Sequence, residues 1–304
     1  MNPADKTTTQ KRLTDLLDPE FMSRLDALDV TSRKILQGKL AGERRSKRRG
    51  QSVEFADYRA YVAGDDLRFV DWNIYGRLEQ LFLKLFLEEQ DLTVYILADI
   101  SASMSEGEPS KELFIKKLTA ALSYVSLVNN NRVTISLFAD GIKGQLMNMR
   151  GRFYLQQMAE FLLTSRCEGF SDFDQSARQL AAGRAGSGVM IVLSDFLFKQ
   201  GYDSALRRLI SNHYDLYVIQ VLCPQELSPT LSGDLKLIDI EDADAAEVTI
   251  SGVLLGYYKR NLAAYCNELK DFCTRRGAVY VLSNSADSVE SLVLNYLRRI
   301  RLLH

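Results

Sequence analysis

Apolar and polar positions fall into two regimes along the chain. From residue 91 onward, short continuous apolar runs alternate with stretches in which apolar residues return every three to four positions. The runs at 92–98, 133–138, 189–193, 216–222 and 278–282 predict buried strands, and 142–149 predicts another after the turn Asp140-Gly141. The stripe Phe114, Leu118, Leu122, Val125 and Val128 predicts a helix over 110–129, with Pro109 suited to its first turn. Further helices are predicted over 152–163, 172–182, near 203–211, over 253–276 and over 287–302. Strand-like pieces at 235–240 and 247–250 read as an inserted hairpin near 233–251. Strands alternating with helices imply an α/β fold, with a mostly parallel sheet and helices on both faces. Such sheets bind ligands beyond the carboxyl ends of their strands.

Upstream the pattern is different. Residues 1–42 read as a polar tail followed by two short helices, with Phe21, Leu25, Leu28, Ile35 and Leu40 as apolar positions and Asp18 before Pro19 as a helix start. Residues 43–90 open on Arg44, Arg45, Lys47, Arg48 and Arg49, then alternate or cluster aromatics around the turn signals Gly50 and Gly64-Asp65-Asp66. They read as a small β-rich subdomain of strands, loops and a hairpin, leaving 91–304 as the α/β domain. In that subdomain Arg59, Arg68 and Arg77 can pair with Glu54, Asp65, Asp66 and Asp71, fixing geometry without adding much stability. The single Trp, Trp72, and the set Tyr257, Tyr258 and Tyr265 read as core or interface packing.

Composition removes whole chemistries. The 304 residues carry 38 Lys plus Arg against 39 Asp plus Glu, a net charge of −1, which excludes a wholly basic nucleic-acid binder and an acidic disordered chain. The only histidines are His213 and His304, so a Ser-His-Asp triad, a multi-histidine zinc site and a facial iron triad are set aside. Cys167, Cys223, Cys266 and Cys273 form no C-x-x-C pair. Cys266 and Cys273 lie about 10 Å apart along one predicted helix, too far for a disulfide. No apolar run approaches the ~18 residues of a membrane helix and the N-terminus is polar, so the expected location is cytoplasmic with no transmembrane segment.

The candidate chemistry lies where strands end. The first α/β strand runs into Asp99-Ile100-Ser101-Ala102-Ser103, the run at 189–193 ends in Ser194-Asp195, and Cys167-Glu168-Gly169-Phe170-Ser171-Asp172 forms a small polar loop before a helix. Three loops thus deliver carboxylates and hydroxyls to one sheet edge. These are hard oxygen ligands suited to Mg²⁺ or Mn²⁺. The bland alternative is a structural loop in which Ser caps the next helix and Asp bonds backbone N–H groups.

D-x-S-x-S, a later Ser after Gly and a later Asp after an apolar strand resemble the metal-ion-dependent adhesion site of von Willebrand factor type A domains. That resemblance implies a von Willebrand factor type A-like fold. It implies metal binding through the hydroxyls of Ser101, Ser103 and Ser171, and mainly through water by Asp99 and Asp195. Ser171 stands where the family usually has Thr, and Asp172 is an alternative ligand. Upstream, the arrangement Arg49-Gly50, Glu54-Phe55, Tyr58-Arg59, Gly64-Asp65-Asp66, Arg68 and Asp71-Trp72 resembles the signature of the bacterial domain-of-unknown-function family fifty-eight. That resemblance implies an adaptor or co-chaperone acting with a MoxR-type AAA+ ATPase, the metal being completed by an acidic residue of a partner protein.

With no nucleophile or general base beside the constellation, a non-enzymatic interaction module is the leading expectation. An Mg²⁺-dependent phosphohydrolase is the runner-up; it would need a second acid two residues after Asp99, where Ser101 stands, and a lysine placed for the phosphoryl group. A third reading is a metal-free scaffold that binds through the basic run Arg44 to Arg49, with nucleic acid disfavoured because no aromatics interleave it.

Overall fold

A computed structural model describes residues 13–32, 54–87, 92–182, 188–210, 214–241 and 244–304. The basic run, His213 and the second predicted N-terminal helix lie outside the described residues. The chain divides into two compact units: residues 54–87 belong to one, and residues 13–32 together with the chain from Leu92 onward form the other.

The first helix is α1 (Pro19–Leu25), which Asp18 caps by accepting the Glu20 N–H at 3.2 Å. In the smaller unit β1 (Glu54–Ala60) pairs antiparallel with β2 (Phe82–Leu87). The sequence reads as strands and loops here, but the structure adds a helix, α2 (Trp72–Leu78), between them. Asp71 nucleates it: its Oδ1 accepts the Asn73 N–H at 2.9 Å and the Ile74 N–H at 3.3 Å, and its Oδ2 accepts the Tyr58 hydroxyl at 3.1 Å. Arg59 pairs with Asp65 at 2.8 Å and Arg68 with Asp66 at 2.5 Å. The Arg68 pair is largely solvated and adds little. Trp72 is 58% exposed, with its ring edge-on to Tyr75, and is not a core residue.

The larger unit is built on β3 (Thr93–Asp99), β4 (Arg132–Phe138), β5 (Ile142–Met149), β6 (Gly188–Ser194), β7 (Tyr214–Leu222) and, after the separate antiparallel hairpin β8 (Gly233–Ile238) and β9 (Ala245–Ile250), β10 (Val279–Asn284). The six form one sheet in the order β10-β7-β6-β3-β4-β5, parallel except for β5, which runs antiparallel to β4. Alternation along the central strands splits the core. Val94, Ile96 and Ala98 of β3 and Val189, Ile191 and Leu193 of β6 face one cluster; Leu97, Met190 and Val192 face the other.

The first cluster is filled by α3 (Lys111–Val128) and α4 (Leu155–Thr164), the second by α5 (Phe173–Ala182), α6 (Asp203–Ile210) and the carboxyl half of α8 (Gly252–Arg275), which follows the short α7 (Pro224–Leu227). The sheet is therefore covered on both faces, as its near-continuous apolar strands require. Pro109 sits ahead of α3 rather than within it. Ser110 is the cap, its Oγ accepting the Leu113 N–H at 3.4 Å, because a cap needs a side-chain acceptor that proline lacks. The chain closes with a helix that opens as Val289–Ser291 and continues in π form over Leu292–Leu297.

The described N-terminal residues are part of this core. Leu16, Leu17, Phe21, Leu25, Leu28 and Val30 are buried in the α3 cluster, and Val30 bridges Leu303 near the other end of the chain. With this cover α3 is buried on nearly every side, which explains the small Ala120, Ala121, Ser123 and Ser126 along it. No described helix is long and apolar enough to cross a membrane. Leu118→Ala, at a position with 0% exposure, should cost about 2–5 kcal/mol by denaturant titration. Val253→Ala, at 70% exposure, should stay within about 0.5 kcal/mol.

Candidate functional site

Asp99 is the last residue of β3 and is 1% exposed. Its Oδ1 accepts the Ser101 N–H at 2.9 Å, which turns the chain sharply into the 3-10 turn Ala102–Ser105. The turn brings the Ser101 and Ser103 hydroxyls within 3.1 Å of each other. Neither is spent as the cap of α3, which Ser110 provides, and Ser101 makes no cap bond to the 3-10 turn. The bland alternative is thus met in part, since Asp99 does take a backbone N–H, while the two hydroxyls face each other.

The next strand in the sheet supplies the second acid. Parallel pairing sets Ala98 beside Leu193, so β3 and β6 end at the same level. Ser194 Oγ donates to Asp99 Oδ2 at 2.7 Å and accepts the Phe196 N–H at 2.9 Å. Asp195, 3% exposed, accepts the Leu197 N–H on Oδ1 at 3.1 Å. Phe196 adopts a φ of 55°, a left-handed conformation unusual for an aromatic residue. Its ring, 0% exposed, packs edge-on to Phe173 and Phe198, and Tyr265 donates its hydroxyl to the Phe196 carbonyl, so packing holds the turn.

The third loop is stitched to the first by two backbone bonds, Ala102 N–H to the Gly169 carbonyl at 2.8 Å and Glu168 N–H to the Ile100 carbonyl at 3.0 Å. Ser171 follows two residues later. Its N–H donates to Glu241 Oε2 at 3.2 Å, while its Oγ is buried with no hydrogen-bond partner among the described residues. Asp172 is occupied otherwise: its Oδ1 accepts the Gln175 N–H at 2.8 Å at the start of α5. That bond engages one of its two carboxylate oxygens, whereas the Ser171 hydroxyl has no hydrogen-bond partner among the described residues. Cys167, in the same loop, has its thiol pushed up to about 12 by burial and by the Glu112 charge, so it is a neutral thiol.

Lys111 is an unanticipated member of the site. It is the first residue of α3, its side chain is 1% exposed, and its Nζ donates to Asp195 Oδ2 at 2.9 Å and to Glu226 Oε1 at 2.5 Å. Burial alone would lower the ammonium's pKa; the charges of Asp195 and Glu226 outweigh it and raise it. Asp99 receives no such countercharge from the described residues. Burial, and then the charge of Asp195, push its carboxyl up to about 7 against the bonds from Ser101 and Ser194. Ser194, Lys111 and Glu226 were the members a sequence pattern misses; the lone usable signal was Ser194, one residue before an assigned acid.

Among the described residues no group of three or more His, Cys, Asp and Glu side chains is placed to hold a metal ion. Any cation here would depend on hydroxyls as well as on Asp99 and Asp195. The donor set fits a hard divalent ion: two acids at neighbouring strand ends, two hydroxyls in mutual contact and one buried hydroxyl without a partner.

Comparison with known proteins gives a family match over residues 57–257, to the model described as Protein of unknown function DUF58. Uncharacterized proteins of Mycobacterium bovis and Mycobacterium tuberculosis are 25% identical over 257 residues, 83% of this chain and 80% of theirs. Among solved structures, the conserved hypothetical protein BatB from Bacteroides thetaiotaomicron is similar with a TM-score of 0.41 and 14% identity, over 69% of this chain and 98% of that one. The SpRpn10 VWA domain is similar with a TM-score of 0.39 and 11% identity, over 68% and 95%.

The protonation of Asp99 has a sign that can be checked in chelated, metal-free protein. Its folded pKa near 7 stands above the ordinary 3.8, so its contribution to stability is fully present below the unfolded value and is lost as pH rises through about 7. Thermal melts of wild type and Asp99→Asn across pH 4 to 8 should therefore show the variant gaining on wild type as pH rises. A pH-independent difference would show that Asp99 ionises in the fold as freely as in water.

Proposed function

We propose that this chain, which belongs to the DUF58 family of proteins of unknown function, is a protein-interaction module whose recognition centre is a divalent cation at the carboxyl ends of β3 and β6. The observation that supports this reading is that Asp99 and the Ser194-Asp195 pair lie at neighbouring strand ends, that the Ser101 and Ser103 hydroxyls meet beside Asp99, and that the third loop, bonded to the first, holds a buried Ser171 hydroxyl with no partner among the described residues. Ser101, Ser103 and Ser171 would hold the ion through their hydroxyls, and Asp99 and Asp195 mainly through water, as in the adhesion-site motif that the spacing resembles. When bound, Mg²⁺ or Mn²⁺ supplies an electrophilic position for a carboxylate oxygen from a partner protein. The chain's own residues do the rest: Ser194 and the Ser101 N–H orient Asp99, and the backbone bonds of the first loop position the third.

The partner class follows from the family resemblance: a MoxR-type AAA+ ATPase in the cytoplasm, with this chain as adaptor or co-chaperone. The phosphohydrolase reading loses one of its objections, because a lysine does reach the site. Yet Lys111 is enclosed and engaged by two carboxylates, so its Nζ is not open to a phosphoryl group, and the residue two positions after Asp99 is still Ser101 rather than an acid.

Calorimetric titration with Mn²⁺ and Mg²⁺ tests the metal. Wild type should give a saturable heat that Asp99→Ala abolishes, and identical heats for the two proteins would refute the centre. Ser171→Ala should weaken the metal while changing the stability of the chelated protein by less than about 1 kcal/mol, since no hydrogen bond is lost. Affinity capture of the AAA+ ATPase with and without chelator tests the partner separately. Equal capture in both would remove the metal from recognition.

A further inference from the structure

Lys111 breaks two local rules at once. It is a cation at the amino end of an 18-residue helix, where the helix dipole disfavours positive charge, and its side chain is almost wholly enclosed. A residue so placed persists because something else requires it. It cannot swing aside easily, because the loop that delivers it is pinned. A Cβ on Gly107, whose φ is +98°, would lie 2.6 Å from the Cys223 Cβ. Gln225 bonds Glu108 twice, accepting its N–H at 3.2 Å and donating to its carbonyl at 2.9 Å. Ser285 donates to the Pro109 carbonyl at 2.7 Å. Glu226 is fixed in turn by the Cys223 N–H at 2.8 Å and, through its backbone carbonyl, by the Tyr258 hydroxyl at 2.9 Å.

Resting on the metal-centre reading above, we propose that Lys111 sets the affinity of that centre: a tethered cation that competes with the divalent ion for Asp195 and so weakens its retention. The Nζ already occupies Asp195 Oδ2, while the Leu197 N–H occupies Oδ1. An arriving cation meets a carboxylate whose charge is largely answered and a positive group that repels it. Asp99, whose donors among the described residues are neutral, remains the principal attraction. The consequence is an ion held loosely by the chain, with positive character left over for an external carboxylate. Without the lysine, the two acids would bind the ion tightly and neutralise it.

The test is titration of chelator-stripped protein with Mn²⁺ alone, comparing wild type, Lys111→Met and Lys111→Met/Glu226→Gln, with thermal midpoints recorded with and without Mn²⁺. The double variant removes the glutamate that the single one would strand. Both variants should bind Mn²⁺ roughly tenfold tighter or better, the scale expected from removing one nearby charge in a partly shielded site. Both should also show a larger Mn²⁺-induced rise in midpoint than wild type. A variant that folds only with Mn²⁺ supports the proposal, as does a variant that binds when wild type does not. Equal or weaker affinity in folded variants, beside a wild type that binds, overturns the competition and leaves the metal centre standing. No binding by any of the three overturns the metal centre and this proposal with it.

Discussion

Two carboxylates lie side by side in the dry edge of a parallel sheet, and much of the surrounding structure answers that fact. Because β3 and β6 are neighbours in register, Asp99 and the Ser194-Asp195 pair leave the sheet at one level. Burying ionised oxygen is costly unless donors or opposite charge meet it. The fold meets the two acids unequally: Asp195 has a lysine and a backbone N–H, Asp99 a serine hydroxyl and a backbone N–H. One acid is thus charge-compensated and the other is left wanting a cation or a proton. That asymmetry gives the site direction, with its need for positive charge concentrated on Asp99.

Holding such an arrangement requires a rigid frame. The enclosed α3 delivers Lys111 from one face of the sheet, and the aromatic group of Phe173, Phe196 and Phe198 locks the exit of β6 from the other. The left-handed Phe196 is tolerable only because its ring is enclosed and its carbonyl accepts the Tyr265 hydroxyl. The N-terminal residues contribute at a distance by covering α3, so a segment that reads as a tail and short helices stabilises the helix whose first residue enters the site.

Strand positions, their burial and the acids at their ends were legible in the sequence because they depend on local periodicity. A run such as that at 189–193 has nowhere to go but a buried strand, and its terminal acid must emerge at the carboxyl edge. Lys111 was illegible for the opposite reason. At the start of an amphipathic pattern a lysine looks like a solvated residue, and only contacts 84 and 115 positions away reveal that it is buried. Ser171 and Asp172 were inseparable in sequence because both carry oxygen; in the structure one oxygen of Asp172 caps α5, while the Ser171 hydroxyl has no partner among the described residues. Helix α2 was missed because aromatic residues suggest strand, whereas the capping bonds of Asp71 decide the local conformation.

The surroundings of the site bear on what kind of ligand it suits. Phe170, 50% exposed, precedes Ser171; Leu197, 41% exposed, follows Asp195 by two residues; and Ile240, 47% exposed, precedes Glu241, whose carboxylate accepts the Ser171 N–H. The loops that carry Ser171 and Asp195, and the segment that carries Glu241, therefore each hold an apolar side chain in solvent next to a polar one. A small hydrophilic substrate gains nothing from such a rim, whereas a protein surface that presents one carboxylate among apolar neighbours can bury it. In the interaction reading, the metal supplies a single directional bond and the rim supplies the area. A loosely held ion is then sufficient, because the contact does not depend on the ion alone.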